Sequence, residues 1–263
     1  MAKLKVSVVQ YLNTVPLVWG MLSGEQRGKF ELEFTTPARC ADAIRDGSAE
    51  IGIIPCIELQ RIDNLEVIPK VSISSLAHVK SVALFSKQPI ENVKTIALDA
   101  SSRTSVALLR ILLEKYYRLS PRTITAEPDA RAMLQKADAA LLIGDPALVC
   151  NDSGMMVYDL AAEWKKFTGL PFVFAVWAGR ASAGLRKAAE DFQKSRDYGL
   201  AHVDEIAREY APRHCMTAEE VKIYLTEHIN YNLNEAHRKG MDLFHSLACE
   251  VGLTPGVKEV RFV

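Results

Sequence analysis

Segments that read as buried β-strands recur with the same spacing in the two halves of this chain. Two sets of apolar segments align at intervals of 28 and 17 residues: Val6, Phe34 and Ile51 in the first set, and Ile96, Ile124 and Leu141 in the second. Helical patterns separate the segments of each set, which predicts two β-α-β-α-β units with parallel sheets. Because sequence identity between the halves is low, the repeat indicates equal architecture rather than a duplicated sequence.

Boundary signals define the elements of the first unit. Pro16 stands where a helix begins, because a first-turn residue needs no amide hydrogen, and Asn13 or Thr14 is the natural cap. Gly47 follows the next helical pattern and predicts its end. We therefore predict strands at 6–9, 30–35 and 51–55, and helices from residue 15 and over 37–46.

Two apolar runs outside the repeat predict strands that connect two lobes. They are 81–86 and 171–178, and together they would make a two-strand hinge. From Ala181 onward the patterns are helical, at 185–198, 200–210, 217–225 and 232–251. The sequence thus predicts an α/β chain with a ligand cleft where the strands end. The first lobe is formed by 1–85 and 180–263, and the second by 86–179.

Bulk composition excludes several classes of partner. The 263 residues include 32 Lys+Arg and 32 Asp+Glu, so no overall field favours nucleic acid or an anionic membrane. The five cysteines are far apart and form no CxxC, which predicts free thiols in a reducing compartment. Residues 1–5 lead directly into a strand, and no apolar run approaches the roughly 18 residues of a spanning helix. We therefore expect a cytoplasmic protein without a signal peptide.

A turn rich in hydroxyl groups follows the strand that ends at Asp99 and opens a helix. It contains Ser101, Ser102, Arg103, Thr104 and Ser105. Backbone N–H groups at a helix N-terminus, together with short side-chain donors, are typical of a carboxylate or phosphate site. In a second interpretation Ser102 only caps the helix and the cation and hydroxyls after it are solvated. One cap needs one hydroxyl, and the helix dipole disfavours a cation here, which favours the anion site.

The sequence contains none of the motifs that mark a nucleotide or metal cofactor. It has neither GxGxxG nor GxxxxGK[ST], and its histidines from His202 onward form no HExxH. None of these histidines has a cysteine at ligand spacing. We therefore predict a small-molecule substrate, with no cofactor and no metal.

Five sequence blocks together resemble the chorismate dehydratase family. They are 11–17, 53–55, 97–105, 141–148 and 168–178, so the resemblance covers the chain from about residue 10 to about 180. It implies a bilobal fold of the periplasmic-binding-protein type (type II), in agreement with the two predicted lobes. It also implies that the chain eliminates water from chorismate to give 3-[(1-carboxyvinyl)oxy]benzoate, in the futalosine route to menaquinone.

The resemblance further implies which residues act on the substrate. It places Asn13 and Ser81 near the reacting carbons, where the amide would orient the substrate or the leaving hydroxide and the hydroxyl would donate to it. Arg103 would either pair with a substrate carboxylate or fix the lobe. The remaining substrate-binding residues implied by the matching motifs are Tyr11, Thr14, Pro55, Ser101, Ser102, Thr104 and Ser105.

The catalytic base stays open between two hypotheses. One is the substrate's own enolpyruvyl carboxylate, which lies next to the proton that is removed, and the other is Asp145. Asp145 also has a purely structural interpretation, as the cap of a helix that begins at Pro146.

Two other functions stay open. The chain could bind an anionic solute without converting it, as proteins of this fold do outside the cell. It could also be the related 1,4-dihydroxy-6-naphthoate synthase, whose expected catalytic histidine has no clear place in this sequence. Conversion of chorismate distinguishes the three functions.

Overall fold

The computed structural model describes residues 3–263, apart from the side chain of Ala183, and places the strands in two sheets. Strands β1 to β11 are Leu4–Val9, Phe30–Thr35, Ile51–Pro55, Leu65–Ser75, Val82–Ser86, Thr95–Asp99, Arg122–Ala126, Ala139–Ile143, Met156–Asp159, Phe172–Arg180 and Arg261–Phe262. One sheet has six strands in the order β11-β4-β10-β3-β1-β2, and the other has five in the order β7-β6-β8-β5-β9.

The helices connect the strands and fill the C-terminal part. Helices α1 to α10 are Val15–Ser23, Pro37–Asp46, Thr104–Ile111, Ala130–Lys136, Gly144–Leu148, Leu160–Thr168, Ala183–Ala201, Val203–Tyr210, Ala218–Ile223 and Glu235–Glu250. Two π-helical segments continue α3 and α9, namely Leu112–Tyr117 and Tyr224–His228. Short 3-10 helices are Leu12–Thr14, Cys56–Gln60, Ile90–Asn92 and Ala211–His214.

The pairing of the strands confirms the predicted repeat. β1 lies between β2 and β3 and pairs parallel with both, so that Val6 faces Leu32 on one side and Ile51 on the other. β6 lies between β7 and β8 in the same way, with Ile96 in the position of Val6. In each unit the first strand is therefore central, and the carboxyl ends of the parallel strands meet at one edge of the sheet.

The central strands β3, β5 and β8 are fully buried because both faces of each sheet are covered there. Every residue of β8 is buried. Ala140 and Leu142 pack with Met133 of α4 on one face, while Leu141 joins the larger core on the other. Such a strand lacks the polar alternation of a sheet with a solvated face, which is typical of α/β proteins.

Strand β4 is the longest element that the sequence prediction missed. Pro69 and Lys70 interrupt its apolar pattern, and a proline within an apparent strand argues against that assignment. In the structure Lys70 has φ 68° and the pairing of β4 with β10 shifts register across this point. A bulge thus accommodates the proline inside the sheet. The strand β9 and the helix α6 were also not predicted.

Sheet membership places the connections between the sheets earlier in the chain than the predicted lobe bounds. Among residues 3–263, β5 pairs only with β8 and β9, and β10 pairs only with β3 and β4, so each strand lies in one sheet. The predicted lobe boundary at residue 85 would cut through β5. The predicted boundary at residue 179 would assign β10 to the second lobe, although β10 belongs to the six-stranded sheet. We therefore propose that the lobes are divided at 76–81 and at 169–171.

The C-terminal helices pack on the six-stranded sheet, as predicted. α7 contacts α1 and β4, and α10 contacts β10. At the crossing of α1 and α7, a Cβ on Gly199 would overlap with the backbone of Pro16, so the close approach requires glycine. Thr217 forms a capping box with Glu220 at the start of α9, where the sequence placed a helix N-terminus. Within residues 3–263 we find no helix with both the length and the apolar character needed to cross a membrane.

Candidate functional site

A cavity opens between the two sheets at the carboxyl ends of the parallel strands. It contains about 530 Å³ of empty space, a volume that includes its open mouth. Its polar wall consists of Tyr11, Asn13, Ser102, Arg103, Thr104 and Ser105. Apolar side chains such as Val9, Ile73, Val82 and Phe174 form the rest. Among the described residues, no Asp, Glu, His or Lys lines this cavity.

The N-terminus of α3 faces the cavity without a side-chain cap. Arg103 occupies the N-cap position with φ −123°, and its side chain makes no capping hydrogen bond. Ser102 is only 9% exposed, and its Oγ has no hydrogen-bond partner among the described residues. The interpretation of Ser102 as the cap is therefore wrong. The first N–H groups of the helix and a buried hydroxyl are left together as unused donors.

Ser101 lies behind this wall rather than on it. Its backbone N–H and its Oγ both donate to Asp99 Oδ1, at 2.8 and 2.6 Å, and its Oγ lies 3.2 Å from the hydroxyl of Tyr11. Burial raises the pKa of Asp99, which also accepts from the N–H of Ile143. Ser101 thus fixes Tyr11, a cavity residue, to the end of β6.

The ring of Tyr11 packs directly over Gly144. Gly144 has φ 61°, and a Cβ there would overlap with the Tyr11 ring, so both the backbone and the close approach require glycine. Burial raises the pKa of Tyr11 to about 12. The phenol therefore stays protonated at neutral pH and is a donor rather than a base.

The guanidinium of Arg103 joins the two sheets. Its Nη2 donates to both oxygens of Asp42 on α2, at 2.8 and 2.9 Å, and its Nη1 donates to Glu58 at 3.1 Å. Glu58 is fully buried and is also paired with Arg45 and Arg61. Of the two roles stated above for Arg103, these contacts support fixing the lobe.

Asp145 does not line the cavity. Its Oδ1 accepts from the N–H of Leu12 at 2.9 Å, and its Oδ2 lies 3.0 Å from Nε2 of His214. α5 begins at Gly144 with Ile143 as its N-cap, so the expectation that Asp145 caps a helix starting at Pro146 is wrong. Asp145 instead connects α5, which follows the five-stranded sheet, to Leu12 after β1 and to His214 in the C-terminal helices.

Asn13 and Ser81 are brought together by a residue that the sequence analysis did not single out. The hydroxyl of Tyr224 donates to Ser81 Oγ at 2.7 Å, and the Asn13 side chain lies next to the same hydroxyl. Asn13 lines the cavity, whereas Ser81 is fully buried between Val79 and Val82, which do line it. Asn13 Oδ1 accepts from Thr14 at 3.2 Å. The two predicted catalytic residues thus belong to one hydrogen-bond network at the cavity.

The other predicted binding residues are divided between the cavity and its support. Pro55 lines the cavity, and so does Thr104, whose Oγ1 accepts from the N–H of Ile57 at 3.2 Å. Thr14 does not line it, and its hydroxyl instead holds the Asn13 side chain. Thr14 therefore positions Asn13 rather than facing a ligand.

The residues that sequence reasoning missed are those that reach the site from distant parts of the chain. Tyr224 lies 143 positions from Ser81, and His214 lies 69 positions from Asp145. No local motif marks either residue, because a helix pattern reports which face is buried and not what the face touches. Within residues 3–263 no cluster of three or more metal-ligating side chains is present.

The sequence matches one protein-family model and is similar to proteins of known function. A family model described as menaquinone biosynthesis matches residues 4–250. The chorismate dehydratase of Thermus thermophilus is 31% identical over 234 residues, which cover 82% of this chain and 85% of that protein. The chorismate dehydratase of Campylobacter jejuni is 28% identical over 149 residues, which cover 56% of this chain and 66% of that protein.

Solved structures resemble the chain over almost its whole length. A protein from Archaeoglobus fulgidus has a TM-score of 0.79 at 19% identity and covers 95% of this chain and 98% of its own. The periplasmic aliphatic sulphonate binding protein of Escherichia coli has a TM-score of 0.63 at 16% identity, with coverage of 99% and 93%. The alkanesulfonate-binding protein of Xanthomonas axonopodis has a TM-score of 0.67 at 15% identity, with coverage of 97% and 95%. The predicted fold of the periplasmic-binding-protein type is confirmed.

Proposed function

The chain belongs to the menaquinone biosynthesis family, and from this premise we propose that it is a chorismate dehydratase. Chorismate loses the ring proton next to the ether oxygen and hydroxide from the neighbouring carbon, which gives 3-[(1-carboxyvinyl)oxy]benzoate and one water. The chain is then a carbon–oxygen lyase of the futalosine route. Because the ring becomes aromatic, the elimination is favourable, and the protein has to lower only its barrier.

The observation that carries the proposal is the buried, unbonded hydroxyl of Ser102 beside the uncapped N-terminus of α3. A buried polar group without a partner lowers stability unless a ligand satisfies it. A helix N-terminus with such a donor is suited to a carboxylate. Since the described lining of the cavity has no acidic side chain, a dianion such as chorismate meets donors without repulsion.

We assign the ring carboxylate of chorismate to this helix N-terminus. When the ring proton leaves, negative charge spreads through the ring diene into that carboxylate, so donors that hold it bind the transition state more strongly than the substrate. Ser102, Thr104 and Ser105 supply hydroxyl donors on the same wall. Thr104 accepts from Ile57, so its own hydrogen can be directed to the substrate.

The hydroxyl that leaves chorismate is placed at the network of Asn13 and Ser81. An amide is no base at neutral pH, so Asn13 orients the substrate while Ser81 donates a hydrogen bond to the departing oxygen. Asn13 lines the cavity, and Ser81 lies directly behind it, between the lining residues Val79 and Val82.

The removed proton passes to the substrate's own enolpyruvyl carboxylate. Among the described lining residues no side chain is a base at neutral pH, because the pKa of Tyr11 is raised to about 12. Asp145 is held by Leu12 and His214 and does not line the cavity, which speaks against it as the base. A carboxylate within the substrate is already placed beside the proton by covalent bonds.

Incubation with chorismate tests the proposed function. We expect the ring protons of chorismate to be replaced by the aromatic proton signals of the benzoate product in NMR spectra, with a protein-free sample as the control for spontaneous decay. A rise in melting temperature with chorismate but no product would identify a solute-binding protein instead. Absence of both effects would favour the naphthoate synthase.

A cytoplasmic location is part of the same proposal. It is supported by the cysteines, all five of which the structure holds as free thiols, as expected in a reducing compartment.

A further inference from the structure

Tyr224 is a fully buried tyrosine whose hydroxyl is committed to one side chain of the site. It begins the π-helical segment that continues α9 and donates to Ser81 Oγ at 2.7 Å. π-Helical turns within helices occur frequently at functional sites. Tyr224 does not line the cavity, and the proposed reaction gives it no role.

The bond from Tyr224 determines what the Ser81 hydroxyl can do. A serine hydroxyl has one hydrogen to donate and two lone pairs that accept. Tyr224 donates to one lone pair, and the Ser81 hydroxyl itself donates to the carbonyl of Val79 over a long 3.4 Å. The hydrogen of Ser81 therefore has no strong partner within the protein and can turn toward the cavity.

We propose that Tyr224 is a positioning residue that orients the Ser81 hydroxyl so that it donates to the leaving oxygen of the substrate. The proposal rests on the dehydratase function. Burial also raises the pKa of Tyr224 above its usual range, so the phenol keeps its hydrogen and acts as a donor throughout the neutral range. Asn13 lies next to the Tyr224 hydroxyl and helps to fix it.

The arrangement requires no net transfer of protons from the protein. The C–H electron pair delocalises through the ring diene into the ring carboxylate and forms the new ring double bond when the C–O bond breaks. The departing hydroxide takes up the proton that the enolpyruvyl carboxylate removed. Ser81 stabilises the charge that develops on the departing oxygen, and Tyr224 strengthens Ser81 as a donor because hydrogen bonds in a chain polarise one another.

Tyr224→Phe removes this donor and keeps the buried ring. We expect kcat to fall about tenfold and KM to change less than about twofold, the order expected for one orienting hydrogen bond. Tyr231→Phe is the matched control, because Tyr231 is a neighbouring buried tyrosine whose hydroxyl has no partner among the described residues. We expect Tyr231→Phe to retain the kcat of the unmodified protein.

A double-mutant cycle separates positioning from a purely structural role. If Tyr224 acts through Ser81, Tyr224→Phe changes kcat less than about twofold when Ser81 is already alanine. An equal, tenfold loss in both backgrounds would overturn the proposal, as would full kcat in Tyr224→Phe. The unmodified protein is assayed first. If it does not convert chorismate, the dehydratase function itself is contradicted, independently of the variants.

Discussion

Replacing Ser81 by alanine is expected to lower kcat about 100-fold while KM changes less than about threefold. The hydroxyl of Ser81 is fully buried behind the lining residues Val79 and Val82 and receives a hydrogen bond from Tyr224, so it is held for one donor function. A donor that meets charge only as the C–O bond breaks contributes to the transition state and little to ground-state binding. Steady-state conversion of chorismate measures both parameters.

Ser86→Ala is the matched control for this prediction. Ser86 lies at the other end of β5, is equally buried, and donates to the carbonyl of Gln88 at 2.6 Å, remote from the cavity. We expect this variant to keep kcat within about twofold of the unmodified protein. A rise in KM as large as the fall in kcat for Ser81→Ala would contradict the assigned role.

Replacing Arg103 by alanine is expected to weaken chorismate binding about 20-fold and to leave kcat within about threefold. Arg103 holds the N-terminal end of α3 against Asp42 of α2 and Glu58 of the 3-10 helix Cys56–Gln60, both next to strands of the six-stranded sheet. Without it the lobes open more often, and the apparent dissociation constant rises as the closed fraction falls. Because Asp42 is half exposed, the expected effect is smaller than that of a fully buried ion pair. The dissociation constant of chorismate is measured by titration calorimetry, with and without Arg103→Ala. Both proteins also carry Ser81→Ala, so that chorismate is converted only slowly during the titration.

Arg61→Ala provides the control for the charge on Glu58. Arg61 donates to Glu58 Oε1 at 3.0 Å and directly follows the 3-10 helix that contains Glu58. Its loss therefore removes one positive charge next to Glu58 but breaks no contact between the lobes. We expect its dissociation constant to rise less than about threefold. If both arginine variants weakened binding equally, the role of Arg103 between the lobes would be contradicted.

The parallel units could be predicted from the sequence because their signals are local. Pro37 and Gly47 bound α2 in the structure as in the prediction, and the Gly47 φ of 82° explains why glycine ends this helix. The parallel pairing of three strands then followed from the β-α-β pattern, whereas their order, with β1 in the centre, is seen only in the structure. β4 escaped prediction because Pro69 broke its pattern, and the bulge that accommodates this proline is set by the neighbouring β10.

Residue patterns alone predicted the candidate site at one turn, and the family resemblance added the cavity residues Tyr11, Asn13 and Pro55. The hydroxyls from Ser102 to Ser105 lie on the cavity wall because they follow one strand. Asp145 is different, since its partners Leu12 and His214 are distant in sequence and only the folded chain shows that its oxygens are occupied. The same holds for Tyr224, which reaches Ser81 through the packing of the C-terminal helices.

A crystal structure of the Ser81→Ala variant with chorismate bound tests the central claim most directly. We predict the ring carboxylate within hydrogen-bond distance of Ser102 Oγ and the first N–H groups of α3, and the enolpyruvyl carboxylate beside the ring C–H. We also predict that no carboxylate or imidazole of the protein lies within about 4 Å of that carbon. Chorismate bound outside the cavity, or Asp145 turned toward the ring C–H, would contradict the account.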